Sequence, residues 1–156
     1  MTGDRALTGW AAACADHALA GFAGLLADDP AGRAVAAARA WASGDGTAEA
    51  ARNAAFDAHR SARDVDDAGH RALATAIRAS AAAAASVDDH RLARDAAGLA
   101  LEAVQLSSAA CELSSRVGAE RLWQWGQLDE GRRTEVLGEV PPAPPAASCA
   151  LDTVQH

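Results

Sequence analysis

The residues best suited to chemistry in this sequence lie in one segment, FDAHRSARDVDDAGH, at positions 56–70. His59 and Arg63 are one helical turn apart, and His70 follows after a run of aspartates. If the two helices on either side of this run are antiparallel, the short connection brings His59 and His70 within reach of each other. Two imidazoles beside carboxylates are suited to proton transfer, because histidine titrates near neutral pH.

Glu102 is a further candidate if it is buried, because a carboxyl group inside an apolar bundle is suited to act as an acid or a base. The favoured alternative is that Glu102 is exposed. The predicted catalytic residues are therefore His59, His70, Arg63 and Glu102. A structural interpretation stays open, in which His59 and Arg63 bind helix ends and pair with the neighbouring acids. No metal is expected, because these residues fall short of the three or four convergent ligands that a transition metal needs. No cofactor is expected either, since no known cofactor motif occurs.

A second set of residues is suited to binding a protein. The aspartates at the edges of two predicted loops form acidic clusters. Trp123 and Trp125 point to opposite sides of one predicted helix, which makes one of them a candidate exposed anchor, and tryptophan is enriched at binding hot spots. In the alternative, a bent helix buries both. The predicted partner-binding residues are Asp64, Asp66, Asp67, Asp88, Asp89, Trp123 and Trp125.

The charge balance narrows the class of partner. The chain has 21 acidic residues and 14 arginines, and its net charge is −7. Nucleic acid is not expected as a partner, because phosphate backbones need a clustered basic surface. No apolar run is long enough to cross a membrane, and no secretion signal is apparent. Three widely spaced cysteines do not form a disulfide framework, so we expect a reduced, cytoplasmic protein with Cys14 and Cys111 buried.

The elements that must position these residues are helices. Alanine, the best helix former, supplies 45 of the 156 residues, and tyrosine is absent. This composition predicts an all-α fold, a compact bundle of five or six closely packed helices. We expect the bundle domain to span residues 1–139. The PPAPP run then predicts a Pro-rich, disordered C-terminal tail at 140–156.

One leucine repeat suggests which helix is central. Leucine recurs every seven residues from Leu92 to Leu113, with alanine between, as in a coiled-coil seam. The favoured interpretation places this helix at the centre of the bundle, where the other helices pack against it. The alternative is a seam between two copies of the chain, which would make the protein a homodimer.

Four stretches in fixed order carry a resemblance to a known family. They are LTGWAAACADHALAGF (7–22), DDPAGRAVAAARAWASG (28–44), ARNAAFDAHRSARD (51–64) and AGHRALATA (68–76). Together they resemble a family of alanine-rich, all-helical bacterial immunity proteins of the actinobacterial type. Membership would imply a non-enzymatic protein that neutralises a toxin in bacterial competition, with the toxin as its protein partner.

Two functions follow from these observations. The leading hypothesis is an immunity-type binding protein whose acidic surface faces a basic region of a toxin. The alternative is a small helical enzyme or ligand-binding protein of a natural-product biosynthetic pathway, with a small molecule bound near His59, Arg63 and His70. A deep cavity lined by those residues would favour the alternative, and a filled alanine core would favour the binding protein.

Overall fold

The computed structural model describes residues 3–23 and 29–138, and this part of the chain is all-α. Its seven helices are α1 (Arg5–Ala20), α2 (Pro30–Ser43), α3 (Ala48–Asp67), α4 (Arg71–Ala85), α5 (Arg91–Ser107), α6 (Leu113–Gly126) and α7 (Glu130–Leu137). Within these two ranges there is no strand, and no helix is long and apolar enough to cross a membrane. The tail predicted at 140–156 lies outside the described residues.

The number of helices in the described residues is higher than the five or six predicted, because the C-terminal part of the bundle is divided into two helices, α6 and α7. α6 ends at Gly126, and glycine costs about 1 kcal/mol relative to alanine in a helix. The guanidinium of Arg133 then donates hydrogen bonds to the carbonyl oxygens of Trp125 and Leu128, at 3.1 and 2.9 Å. These bonds satisfy carbonyl groups that the end of α6 leaves without helical partners, which stabilises the break.

Side-chain caps begin α2 and α3. The Asp29 side chain accepts a hydrogen bond from the backbone amide of Gly32, and Pro30 occupies the first turn of α2. Thr47 accepts from the amide of Ala50 in the same way. The residue after α2 is Gly44, which caps its C-terminus. Its φ of 94° is in the left-handed region that glycine adopts most easily.

α4 is the centre of the bundle, because it packs against α1, α2, α3 and α5. Ten of its 15 residues are buried: Leu73, Ala74, Thr75, Ala76, Ile77, Ala79, Ser80, Ala81, Ala83 and Ala84. Small side chains on every side of the helix let four neighbouring backbones approach closely, which larger residues would prevent.

The leucine repeat does not form the central seam, so the prediction that α5 is the central helix is wrong. α5 ends at Ser107, and Leu113 therefore belongs to α6. Leu106 and Leu113 are exposed, at 42% and 39%. The buried face of α5 consists of its alanines: Ala93, Ala96, Ala97, Ala100 and Ala103. A homodimer through the outward leucines stays a prediction.

Candidate functional site

The four predicted catalytic residues lie on the surface. His59 and Arg63 are exposed on α3, His70 is exposed at the start of α4, and Glu102 is exposed on α5. Their side chains make no hydrogen bond or ion pair with any residue in 3–23 or 29–138. A cavity of about 290 Å³ beside the α3–α4 connection is lined by Arg60, Arg63, Asp64, Asp66, Asp67 and Arg78. Of the four candidates only Arg63 lines this cavity, and their catalytic role stays a prediction.

Three of the five predicted partner-binding aspartates form ion pairs within the chain. The pairs are Asp66 with Arg78 at 2.6 Å, Asp88 with Arg52 at 2.7 Å, and Asp89 with Arg91 at 2.7 Å. The hydrogen bond from Arg52 lowers the pKa of Asp88, and that from Arg91 lowers the pKa of Asp89 to about 2. Asp64 and Asp67 are exposed, and the described residues offer neither side chain an ion-pair partner.

The outward side of α3 carries an aromatic residue that the sequence analysis did not select as an anchor. Phe56 is 69% exposed, the highest value among the large apolar side chains of the described residues. Exposed residues surround it at helical spacing. We call this surface the Phe56 face: Arg52, Asn53, Phe56, His59, Arg60, Arg63, Asp64 and Asp67.

Both predicted tryptophan anchors are half-buried. The Trp123 ring stacks on the imidazole of His17, with centroids 3.9 Å apart and planes 13° from parallel. Trp125 lines a groove of about 360 Å³ together with Leu101, Arg121 and Leu137. The Trp125 ring lines this groove, whereas the Trp123 ring lines a second cavity, beside His17.

A cluster of hydrogen-bonded polar side chains, His17, Glu120 and Gln124, lies between α1 and α6. Glu120 is only 4% exposed, and its Oε2 atom lies 2.8 Å from Nδ1 of His17. The Nε2 atom of Gln124 donates to Oε1 of Glu120 at 2.9 Å and to the carbonyl oxygen of Ala97 at 3.1 Å. Both carboxylate oxygens of Glu120 thus have a partner, which burial of the group demands.

The cluster opens into a cavity of about 650 Å³, which we call the His17 pocket. Its lining residues are His17, Ala18, Ala20, Gly21, Phe22, Val104, Ser107, Arg116, Ala119, Glu120 and Trp123. Arg116, Glu120 and Trp123 are four and three residues apart, so α6 presents them on one face. The guanidinium of Arg116 donates to the carbonyl oxygen of Ser107 at 3.3 Å, at the end of α5.

The hydrogen bond between His17 and Glu120 determines which atom of the imidazole remains available in the His17 pocket. The Glu120 side chain accepts a hydrogen bond from Nδ1–H of His17, which fixes the orientation of the ring and leaves Nε2 available for a further hydrogen bond. A carboxylate that orients a histidine in this way is a recurring element of acid–base sites. The pairing of His17 with Glu120 was not predicted from the sequence. His17, Arg116 and Glu120 therefore line one cavity, and none of the three is among the predicted catalytic residues.

The two cysteines in the described residues differ in environment. Cys14 is buried, as expected, and burial followed by the charge of Glu120 raises the pKa of its thiol. Cys111 is exposed in the α5–α6 connection, so the prediction that it is buried is wrong. In residues 3–23 and 29–138 no group of three or more His, Cys, Asp or Glu side chains is placed to hold a metal ion.

Comparison with known proteins identifies a family. The model of the Imm-5 like putative immunity protein family matches residues 2–131. No curated protein and no solved structure matches the chain significantly. Because the family model covers most of the sequence, the chain belongs to this family.

Proposed function

We propose that this member of the Imm-5 like family neutralises a toxin by binding it directly. The family description supports a protein partner. The observation that carries the proposal is the Phe56 face, where an aromatic side chain is 69% exposed in the middle of a regular helix of 20 residues. Aromatic residues and arginines are enriched at the centres of protein–protein interfaces.

Covering Phe56 supplies part of the binding energy. Full burial of a phenylalanine is worth up to about 3 kcal/mol, so covering the exposed part of this ring contributes roughly 1–2 kcal/mol. The flanking guanidiniums of Arg60 and Arg63 offer further contacts, because arginine pairs with carboxylates and also stacks on aromatic rings. A protein partner with a shallow apolar depression and a polar rim fits this surface.

The charged groups around Phe56 set the orientation of the partner. Asp64 and Asp67 lie at one end of α3 without ion-pair partners among the described residues, so we assign the contact with basic toxin residues to them. Asp88 lies beside the other end, where it is paired with Arg52. A helix of 20 residues is about 30 Å long, so a partner that reaches both ends must lie over Phe56.

The paired aspartates Asp66, Asp88 and Asp89 have a smaller part in this proposal. Their arginine partners already neutralise them, which weakens their attraction for a basic surface. Trp123 and Trp125 lie on α6, which does not pack extensively against α3. We therefore assign these tryptophans to their own cavities rather than to the toxin contact.

We test the proposal with a toxin candidate, chosen as a protein that is encoded next to the gene for this chain and that harms cells when it is expressed. We expect the purified chain to bind that protein and to protect cells that express it. Phe56→Ala should weaken the affinity about tenfold or more, the effect of losing a central aromatic anchor. Leu122→Ala is the matched control, because Leu122 is 42% exposed on α6, outside the Phe56 face, and should leave the affinity unchanged.

Two results would contradict the proposal. If the chain neither binds the neighbouring toxin nor protects cells from it, neutralisation by binding is wrong. If it binds but Phe56→Ala and Leu122→Ala have equal affinities, the partner uses another surface.

Asp64→Asn together with Asp67→Asn should mainly slow association and reduce its dependence on salt, since exposed rim charges act on the encounter rate.

A further inference from the structure

The His17 pocket contains a buried carboxyl group, Glu120, whose burial carries a desolvation cost. Glu120 is held between α1 and α6 by hydrogen bonds with His17 and Gln124. A buried carboxylate carries a desolvation penalty, and apolar residues of similar size often replace such groups without loss of stability. Its position, behind an imidazole that faces an open cavity, instead suits a binding role.

The pocket has both polar and apolar lining residues. The polar ones include His17, whose Nδ1 atom pairs with Glu120, and Arg116, whose guanidinium uses one of its five N–H groups on the carbonyl oxygen of Ser107. The apolar ones include Phe22, Val104 and Ala119. A cavity of about 650 Å³ is in the size range of small-molecule sites, which run from roughly 300 to 1,000 Å³.

The groups that remain available favour an anion over a cation. Both oxygens of Glu120 are already engaged by His17 and Gln124, so the one carboxylate among the described lining residues has little capacity for a ligand ammonium group. The unused hydrogen-bonding groups of Arg116 are all donors. His17 offers its Nε2 atom as a second hydrogen-bonding group beside these donors.

We propose that the His17 pocket binds a small organic acid, with the ligand carboxylate between Arg116 and Nε2 of His17. The apolar part of the ligand lies against Phe22 and Val104, and Trp123 holds the imidazole from its other side. Glu120 is a positioning residue in this site, because it acts through His17. Guanidinium and imidazolium groups bind carboxylates through short, charge-assisted hydrogen bonds.

This site is separate from the Phe56 face. α1, α5 and α6 form the pocket, whereas α3 packs chiefly against α2 and α4. Substitutions in the pocket should therefore leave toxin binding through Phe56 unchanged, and the two proposals can fail independently.

Two probes of the same shape and opposite charge test the proposal on the full chain. They are 3-phenylpropionate and 3-phenylpropylamine, measured by titration calorimetry and by NMR signals of the His17 ring and the Trp123 indole. We expect the acid to bind and shift both signals. Arg116→Ala should weaken this binding about tenfold, and Arg116→Lys should restore part of it. Arg121→Ala is the matched control, because Arg121 is exposed on the same helix and lines the neighbouring groove.

The binding of the two probes to the arginine variants decides whether the proposed site exists. Acid binding that Arg116→Ala weakens and Arg121→Ala does not would support the site. The proposal is overturned if the amine binds as tightly as the acid, or if Arg116→Ala and the unmodified chain bind the acid equally. It is also overturned if neither compound binds at concentrations up to about 10 mM, where even very weak sites are detected. Because Arg116 is exposed, its variants should fold normally, and circular dichroism spectra that match the unmodified chain verify this.

Discussion

Replacing Glu120 by glutamine keeps the shape of the side chain and removes its charge at a position that is 4% exposed. The amide oxygen can still accept the hydrogen bond from Gln124. The amide nitrogen, which can only donate, then faces Nδ1 of His17 across 2.8 Å. We therefore expect His17 to move its proton from Nδ1 to Nε2, with the fold retained.

The cost follows from the two hydrogen bonds that the carboxylate receives. A bond to a charged group contributes about 1.5–3 kcal/mol and a neutral bond about 0.5–1.5 kcal/mol, so the two changes together cost about 2 kcal/mol. Relief from burying a charge offsets part of this loss, which leaves about 1 kcal/mol of lost unfolding free energy. Glu120→Ala should cost more, about 2–4 kcal/mol, because it deprives both Gln124 and His17 of their acceptor.

Urea unfolding measures the stability, and the ¹⁵N shifts of the His17 ring report which nitrogen carries the proton. Glu102→Gln is the matched control, since Glu102 is exposed and the same substitution there should change stability by no more than about 0.5 kcal/mol. If Glu120→Gln leaves the proton on Nδ1, or costs as much as Glu120→Ala, then Glu120 does not orient His17 as an acceptor and the reasoning fails.

Three further predictions concern the fold. Ile77→Ala should lower the unfolding free energy by about 2–4 kcal/mol in urea, because Ile77 is fully buried at the centre of α4; a loss below 1 kcal/mol would contradict that placement. Ala79→Leu should also destabilise, by about 1–3 kcal/mol, whereas a gain would show unfilled space around α4. Burial acts to raise the pKa of Asp4, but hydrogen bonds from Arg132 and the amide of Leu7 outweigh it and lower the pKa below 3.8. The stabilisation from Asp4 is therefore present above about pH 4 and is lost as the pH falls through the lowered pKa, so Asp4→Asn should destabilise less at pH 2 than at pH 7. An equal effect at both pH values would show that this carboxylate does not stabilise the fold.

The sequence predicts the class of fold and several helix ends, since these depend on local chemistry. Asp29 with Pro30, and Thr47, are residue types that favour helix starts, and α2 and α3 begin after them because capping involves only residues three apart. The position of each helix in the bundle is less predictable. Leucine repeats favour α5 as the centre, but the alanines of α4 allow closer packing on all sides, and this advantage appears only when four neighbours are present.

The candidate site depends on contacts between distant parts of the chain. His17 and Glu120 are 103 residues apart, and Glu120 is buried only because α6 turns that face towards α1. No local pattern distinguishes Glu120 from Glu102 or Glu112, which are exposed. Phe56 illustrates the opposite case. It lies just outside the alanine stripe of α3, and only the arrangement of neighbouring helices determines that nothing in the described chain covers it.

Because α4 is enclosed by four helices, its backbone amides should be the last in the molecule to exchange with deuterated solvent. Their exchange requires the whole bundle to separate, so their protection reports global unfolding. α6 packs mainly against α5, so it can detach at lower free energy and exchange sooner. Since α6 forms one wall of the His17 pocket, a molecule bound there should slow exchange in α6 and leave α4 unaffected.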